Sequence, residues 1–240
     1  MISFNSFIRG LGYTLHYYQQ NIIDQWLVSG YDKSLVLMSR QMGKTLLGLL
    51  YGLYVASIES KNVCMVYYSD KYASDCWKRV ADMIDDTLVQ YLVKSVEKNR
   101  INFVNGVSII FVAPNNIEEG VIRGFRKPFG EFILDESAFL DRSTLQNLLN
   151  FCYHYKDINN SVNIKILTTP ASKRAFENWA AVPSIIYEIY RNNLLGTDKT
   201  WNVIRKDIDS CPDCYNSSNI KQSIGSESFQ QEYLCHFTDS

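Results

Sequence analysis

Residues 39–45 read Ser-Arg-Gln-Met-Gly-Lys-Thr, between the apolar run Leu35-Val36-Leu37-Met38 and the apolar stretch Leu46-Leu47-Gly48-Leu49-Leu50-Tyr51. That order predicts a strand, a phosphate-binding loop and a helix. Each residue type has a physical task there. Gly43 lets backbone N–H groups approach phosphate oxygens, Lys44 reaches the β- and γ-phosphates, and the Thr45 hydroxyl ligates Mg²⁺. The positive end of the helix adds its dipole. The full pattern G-x-x-x-x-G-K-[ST] is not met, because Met38 stands where its first glycine belongs.

Two further stretches bear on the same chemistry. Phe132-Ile133-Leu134 followed by Asp135-Glu136 matches a buried strand whose C-terminal end reaches an active site. Asp135 would hold Mg²⁺ through its water shell and Glu136 would polarise the attacking water. The competing reading is a pair of acids capping the next helix. Ile164-Lys165-Ile166-Leu167 runs into Thr168-Thr169-Pro170, either an ordinary turn or a strand end whose hydroxyls sense a γ-phosphate.

Working outward, residues 1–14 read as an extended or mobile arm anchored by Phe4, Phe7 and Tyr13. Residues 15–28 carry apolar groups at Tyr18, Ile22, Trp26 and Leu27, the spacing of an amphipathic helix. A helix is expected from about 44 to 58 and a strand at 62–68. Ser69-Asp70 caps a helical pattern at 72–92. Arg100 to Val104, Asn105-Gly106 and Val107 to Val112 predict a hairpin. Residues 113–130 read as a loop, 142–152 and 173–181 as helices, 163–167 as a strand, and 207–227 as a polar loop or lid. Strands alternating with helices predict an α/β fold with a mostly parallel central sheet flanked by helices.

Composition narrows the class. Hydrophobic residues at 46% and charged residues at 20% are ordinary for a globular domain, and 240 residues suffice for a large core. A net charge of −1 without long like-charged blocks excludes a strongly basic domain, so any nucleic-acid contact must be a local patch. No apolar run reaches membrane-spanning length and the N-terminal residues lack signal-peptide character, so a cytoplasmic compartment and no membrane partner are expected. Cys211-Pro212-Asp213-Cys214 has half the spacing of a zinc knuckle, but Cys235 and His236 are adjacent and awkward as the other ligands. It is read as a turn with two thiols, with no structural metal. The scattered Lys and Arg residues read as solvated, and Trp77, Trp179 and Trp201 as core.

Ser39 to Thr45, then Ile133-Leu134-Asp135-Glu136-Ser137-Ala138-Phe139, then Ile166 to Pro170, preceded by Leu15-His16-Tyr17-Tyr18-Gln19 and followed by Phe229 to Phe237, resembles the ATPase domain of the large terminase subunit. That family packages DNA in tailed bacteriophages and herpes-type viruses, and it tolerates a non-glycine at the position of Met38. The resemblance spans residues 15 to 238. It implies a P-loop NTPase of the ASCE type over 15–240, with a small lid subdomain near 184–227 and ATP and Mg²⁺ as cofactors.

By that resemblance Ser39, Arg40, Gln41, Met42, Gly43, Lys44 and Thr45 bind nucleotide, with Arg40 touching the γ-phosphate. Thr45 and Asp135 hold Mg²⁺, Glu136 is catalytic, and Thr168 and Thr169 couple hydrolysis to movement. Gln19, beside Tyr18, matches an adenine-reading glutamine; its bland reading is a helix-surface amide. Arg123 matches an arginine that reaches a neighbouring subunit's ATP, a role that Arg126 or Lys127 shares or takes over if Arg123 is a solvated loop residue. The implied partners are double-stranded DNA, the procapsid portal, the small terminase subunit and further copies in a pentameric ring, with a monomer expected in isolation. The implied place is the infected host's cytoplasm, transiently at the portal vertex. A nuclease domain is not expected in this chain. Rival readings are a helicase-like translocase and a non-catalytic nucleotide-fold docking module.

Overall fold

The computed structural model describes residues 2–28, 30–118, 128–159, 162–177, 180–210, 224 and 226–239. Among them, eight strands form one sheet in the spatial order β10 (Trp201–Lys206), β1 (Lys33–Met38), β7 (Asn163–Thr168), β6 (Phe129–Asp135), β2 (Asn62–Val66), β5 (Ser108–Val112), β4 (Arg100–Phe103), β3 (Val93–Glu97). From β10 through β5 every pairing is parallel, and β5, β4 and β3 form an antiparallel meander. β7 sits between β1 and β6, so the strand ending in Thr168 separates the two strands that end at the loop and at the acidic pair.

The period-two alternation of β1 splits its side chains between two cores. Val36 and Met38 pack with α1 (Phe4–Gly10), α2 (Tyr17–Val28), α3 (Lys44–Ser57) and α4 (Asp70–Ile84), whereas Leu35 and Leu37 face α6 (Arg142–Asn159) and α7 (Ile185–Leu194). Buried on both faces, such strands read as continuous apolar runs. The α3 helix packs tightly: Gly48 and Gly52 place its backbone against Leu167, Ile133, Met65 and Val63, where a Cβ would meet side-chain atoms at 3.2–3.5 Å.

Several expectations change. The predicted arm is instead the helix α1: Ser3 Oγ accepts the Ser6 N–H as its cap, and Phe4, Phe7 and Ile8 are buried. The spacing of those three residues, one face over a single turn, is too short to announce a helix without the Tyr54 ring that receives Phe4 and Phe7 edge-on. The helix expected to run to 92 stops at Ile84, where Asp86 has φ +57°. A 3-10 turn (Leu88–Leu92) then leads into β3.

The described residues of 173–181 are not helical: β8 (Arg174–Glu177) and β9 (Ala180–Pro183) form an antiparallel ribbon, and Trp179 lies outside the described residues. Tertiary pairing overrides helix propensity there, since Ser172 bridges to Thr238 and the Lys173 N–H bonds the Thr238 carbonyl. Part of the expected loop 113–130 is α5 (Pro114–Glu118). Of the 184–227 stretch read as a lid, α7 packs under the sheet and β10 belongs to the sheet itself, in parallel register with β1. Its polar Asn202, Arg205 and Lys206 suit an edge strand and conceal it from a hydrophobic-pattern search. Of the 207–227 remainder, 207–210, 224, 226 and 227 are described, with a 3-10 turn at Ile208–Ser210, and 211–223 and 225 lie outside the described residues. After α8 (Ser226–Glu232), residues 233–239 turn back on that helix, with Cys235 in a left-handed conformation (φ +53°). No helix among the described residues is long and apolar enough to cross a membrane.

Candidate functional site

The loop 39–43 leaves the C-terminal end of β1 and enters α3 through two left-handed residues, Gln41 (φ +63°) and Gly43 (φ +80°). At Gly43 a second constraint applies, because a Cβ would lie 2.7 Å from Gln19 Nε2. The backbone angle favours glycine, and an added Cβ would push the Gln19 amide off its contact. The Met42 carbonyl is held by two donors from α2, Tyr18 Oη at 3.0 Å and Gln19 Nε2 at 3.0 Å. Gln19 Oε1 in turn accepts the His16 N–H at 3.1 Å. Both α2 residues therefore brace the loop from behind, and both are buried.

Lys44 opens α3 and points back along its own loop. Its Nζ donates to the Met38 carbonyl (3.2 Å), the Ser39 carbonyl (3.1 Å) and Thr169 Oγ1 (2.7 Å), and lies 3.3 Å from Glu136 Oε1. Thr45 Oγ1 donates to Asp135 Oδ2 at 2.7 Å and contacts the Tyr72 hydroxyl at 3.0 Å. Burial pushes the Asp135 carboxyl from 3.8 up to about 7; the Thr45 hydrogen bond opposes that shift and the neighbouring Glu136 charge adds to it.

Glu136 occupies a left-handed turn (φ +52°) just past β6. Three hydrogen bonds tie this turn to the end of β7: Glu136 N–H to the Leu167 carbonyl (2.7 Å), Thr169 N–H to Glu136 Oε2 (3.2 Å), and Ala138 N–H to Thr168 Oγ1 (3.1 Å). A non-glycine residue in that conformation is strained unless its surroundings hold it, and these bonds do so.

The structure thus brings Lys44, Thr45, Asp135, Glu136, Thr168 and Thr169 to one place at the C-terminal ends of β1, β7 and β6. Ser39 and Arg40 are engaged by C-terminal residues, although Arg40 shares a cleft with Glu136 and Thr169. Ser39 Oγ donates to the Tyr233 carbonyl, and Arg40 pairs with Glu232, Nη1 to Oε2 at 2.9 Å. Arg123 and Arg126 lie outside the described residues, as do Cys211 and Cys214. Sequence reasoning passed over Tyr72 and Glu232 as site residues. The Tyr72 signal was its place three residues after the Ser69 cap, whose Oγ accepts the Tyr72 N–H and so starts α4 beside Thr45.

The donor set tests which groups fit. Asp135 Oδ1 is buried and has no hydrogen-bond partner among the described residues, although its sister oxygen is bonded. An orphaned carboxylate oxygen beside a threonine hydroxyl is an all-oxygen set of the kind that suits Mg²⁺. The N-terminus of α3, a 14-residue helix, points its first-turn N–H groups at the same region, as a phosphate group requires.

Topology and site together define a class: a P-loop nucleotide-hydrolase fold with an extra strand between the loop strand and the acidic strand. Among solved structures, the large terminase ATPase domain of Thermus phage P74-26 is similar with a TM-score of 0.72 and 16% identity, covering 98% of each chain. The large terminase of a thermophilic bacteriophage, in complex with ATP-gamma-S, is similar at TM-score 0.66 and 14% identity, over 94% of this chain and 53% of that one. The large terminase of bacteriophage HK97 is similar at 0.65 and 12%, over 95% and 45%. The chain therefore spans about half the length of the latter two proteins. At these identities the likeness is one of fold. No family model matches the sequence, and no curated protein matches it.

Proposed function

We propose that this chain hydrolyses ATP and that hydrolysis drives double-stranded DNA into a viral procapsid, as the motor part of a terminase large subunit. The observation that carries the reading is the clustering of Lys44, Thr45, Asp135 and Glu136 at adjoining strand ends, with Glu136 held by Thr169 and paired with Lys44. Four groups with separate roles in phosphoryl transfer converge there, which a scaffold without turnover does not require.

In this reading Lys44 and the first turn of α3 bind the phosphates, and Gln19 and Tyr18 fix the loop on the side where adenine would be read. Thr45 and Asp135 would hold Mg²⁺, which neutralises charge on the phosphate oxygens when bound. Glu136 takes a proton from water as the water oxygen bonds the γ-phosphorus, and the bridging oxygen leaves with ADP. Arg40, and Arg123 or Arg126 from a neighbouring copy, would meet charge on the terminal phosphate. The Thr168-Thr169 strand end carries the change away from the site. Partners on this reading are DNA, the portal, the small terminase subunit and a ring of further copies, pentameric by resemblance, in the cytoplasm of an infected cell.

The test is ATP turnover. Lys44→Ala abolishes activity, and Glu136→Gln lowers it by roughly 10²- to 10⁴-fold while ATP still binds. Wild-type rates in both variants overturn the proposal.

A further inference from the structure

The described C-terminal residues attach to the phosphate loop at the Ser39 hydroxyl and at both the backbone and the side chain of Arg40, while β10 holds the Ser39 N–H. Arg40 N–H bonds the Glu232 carbonyl (2.9 Å) and Ser39 N–H bonds the Lys206 carbonyl (3.1 Å). Ser39 Oγ reaches the Tyr233 carbonyl and lies 3.5 Å from Cys235 Sγ. The Arg40 guanidinium pairs with the Glu232 carboxylate at 2.9 Å. Arg40, Glu136, Thr169 and Glu232 line one cleft of about 190 Å³, so the ion pair stands on the wall of the space beside the catalytic carboxylate. The tail is anchored at its far end too, through Lys173 N–H to the Thr238 carbonyl and the Ser172–Thr238 bridge.

We infer that Glu232 is the positioning residue for Arg40: it parks the guanidinium on the α8 segment and yields it to the terminal phosphate of a bound nucleoside triphosphate. The inference rests on the nucleotide-hydrolase reading above and adds a residue and a direction to it. Three physical points support it. The pair is exchangeable, because the Arg40 side chain is 55% exposed and that of Glu232 28%, so neither is locked by burial. A phosphate offers the same planar, bidentate match to guanidinium that a carboxylate does, and carries more charge. A diphosphate lacks the group that competes, so the exchange reports the γ-phosphate alone. Transfer of Arg40 removes the only side-chain bond between Glu232 and the loop among the described contacts, so triphosphate binding loosens residues 226–239 from the loop.

The experiment compares binding of ATP-gamma-S and ADP, each with Mg²⁺, to wild type, Glu232→Gln and the double variant Arg40→Ala/Glu232→Gln. Glu232→Gln removes the competing charge and keeps the shape. It tightens ATP-gamma-S by roughly fivefold, the equivalent of about 1 kcal/mol for an exposed ion pair, and leaves ADP unchanged. The double variant loses the gain. In wild type, ATP-gamma-S but not ADP speeds amide hydrogen exchange at 226–239. Equal shifts for both nucleotides, no shift, or a gain that survives loss of Arg40 overturns the positioning role. Failure of wild type to bind either nucleotide overturns the nucleotide-hydrolase reading itself.

Discussion

Thr45 Oγ1 donates a 2.7 Å hydrogen bond to Asp135 Oδ2 while Asp135 Oδ1 is buried without a partner among the described residues. One carboxylate is thus half satisfied, in a chain where Tyr67, Tyr72 and Cys76 crowd the same spot. The hydroxyl fixes the orientation of the acid, and on the proposed reading the orphaned oxygen would be free to meet a hydrated Mg²⁺.

A pH dependence follows. The folded-state value of Asp135, about 7, lies above its unfolded value near 3.8, so the folded chain keeps a proton that the unfolded chain has lost. The resulting penalty is absent below the unfolded value, grows as pH rises from 3.8 to about 7, and is constant above that. Asp135→Asn therefore stabilises the nucleotide-free chain above pH 7 by on the order of 1–3 kcal/mol, with no such gain at pH 3.5. Urea unfolding across the pH range measures it; an equal gain at both extremes contradicts the assignment. If Asp135 holds Mg²⁺ as proposed, binding would need the ionised acid and would weaken as pH falls through the same window.

Gly43→Ala costs about 1–2 kcal/mol of stability, because alanine adopts a φ of +80° only under strain. Its methyl group also displaces the Gln19 amide from the Met42 carbonyl. Adding Gln19→Ala relieves the collision and leaves the backbone strain, so the double variant recovers part of the loss. Full recovery in thermal unfolding shows that space, not φ, is the constraint.

How much was legible before the structure depends on how local each signal is. Gly43-Lys44-Thr45 and Asp135-Glu136 stand out because phosphate chemistry demands particular atoms at strand ends, and strand ends are visible as apolar runs that stop. The Asn105-Gly106 hairpin is legible for a similar reason: Gly106 has the positive φ its turn needs. Glu232 is different. Nothing in Gln230-Gln231-Glu232 marks it, because its partner Arg40 is 192 residues away. Glu131 and Lys165 were equally hidden. Both are buried in the middle of the sheet with partners far away in sequence: Glu131 Oε2 accepts from Asn163 Nδ2 while its Oε1 has no partner among the described residues, and Lys165 Nζ donates to the Tyr31 carbonyl. β10 failed for the reverse reason, its polar edge residues masking a strand that only β1 pairing creates.

The helix α1 gives a stability test. Phe7 is 6% exposed and packs edge-on against Tyr54 with ring centroids 5.6 Å apart. Phe7→Ala therefore destabilises the chain by about 3 kcal/mol. A mobile arm would tolerate the change with no loss, so an unaltered urea midpoint restores the arm that the sequence alone suggests.

Thr168→Val tests whether the end of β7 acts through Glu136. Thr168 is completely buried, and its hydroxyl does two things: it accepts the Ala138 N–H at 3.1 Å and donates to the Thr169 carbonyl at 3.1 Å. Valine keeps the shape and leaves both backbone groups without that partner, at a cost of about 1–3 kcal/mol. The Glu136 turn is the element that slackens, since it loses one of the three bonds that join it to β7. Lys44 and Thr45 keep their own contacts, because Lys44 bonds Thr169 rather than Thr168. Turnover should then fall at least tenfold in Thr168→Val with the KM for ATP unchanged, and Thr168→Ser should restore it. A rise in KM at constant kcat would instead mean that Thr168 supports nucleotide binding, and that the strand end does not act by holding the Glu136 carboxylate.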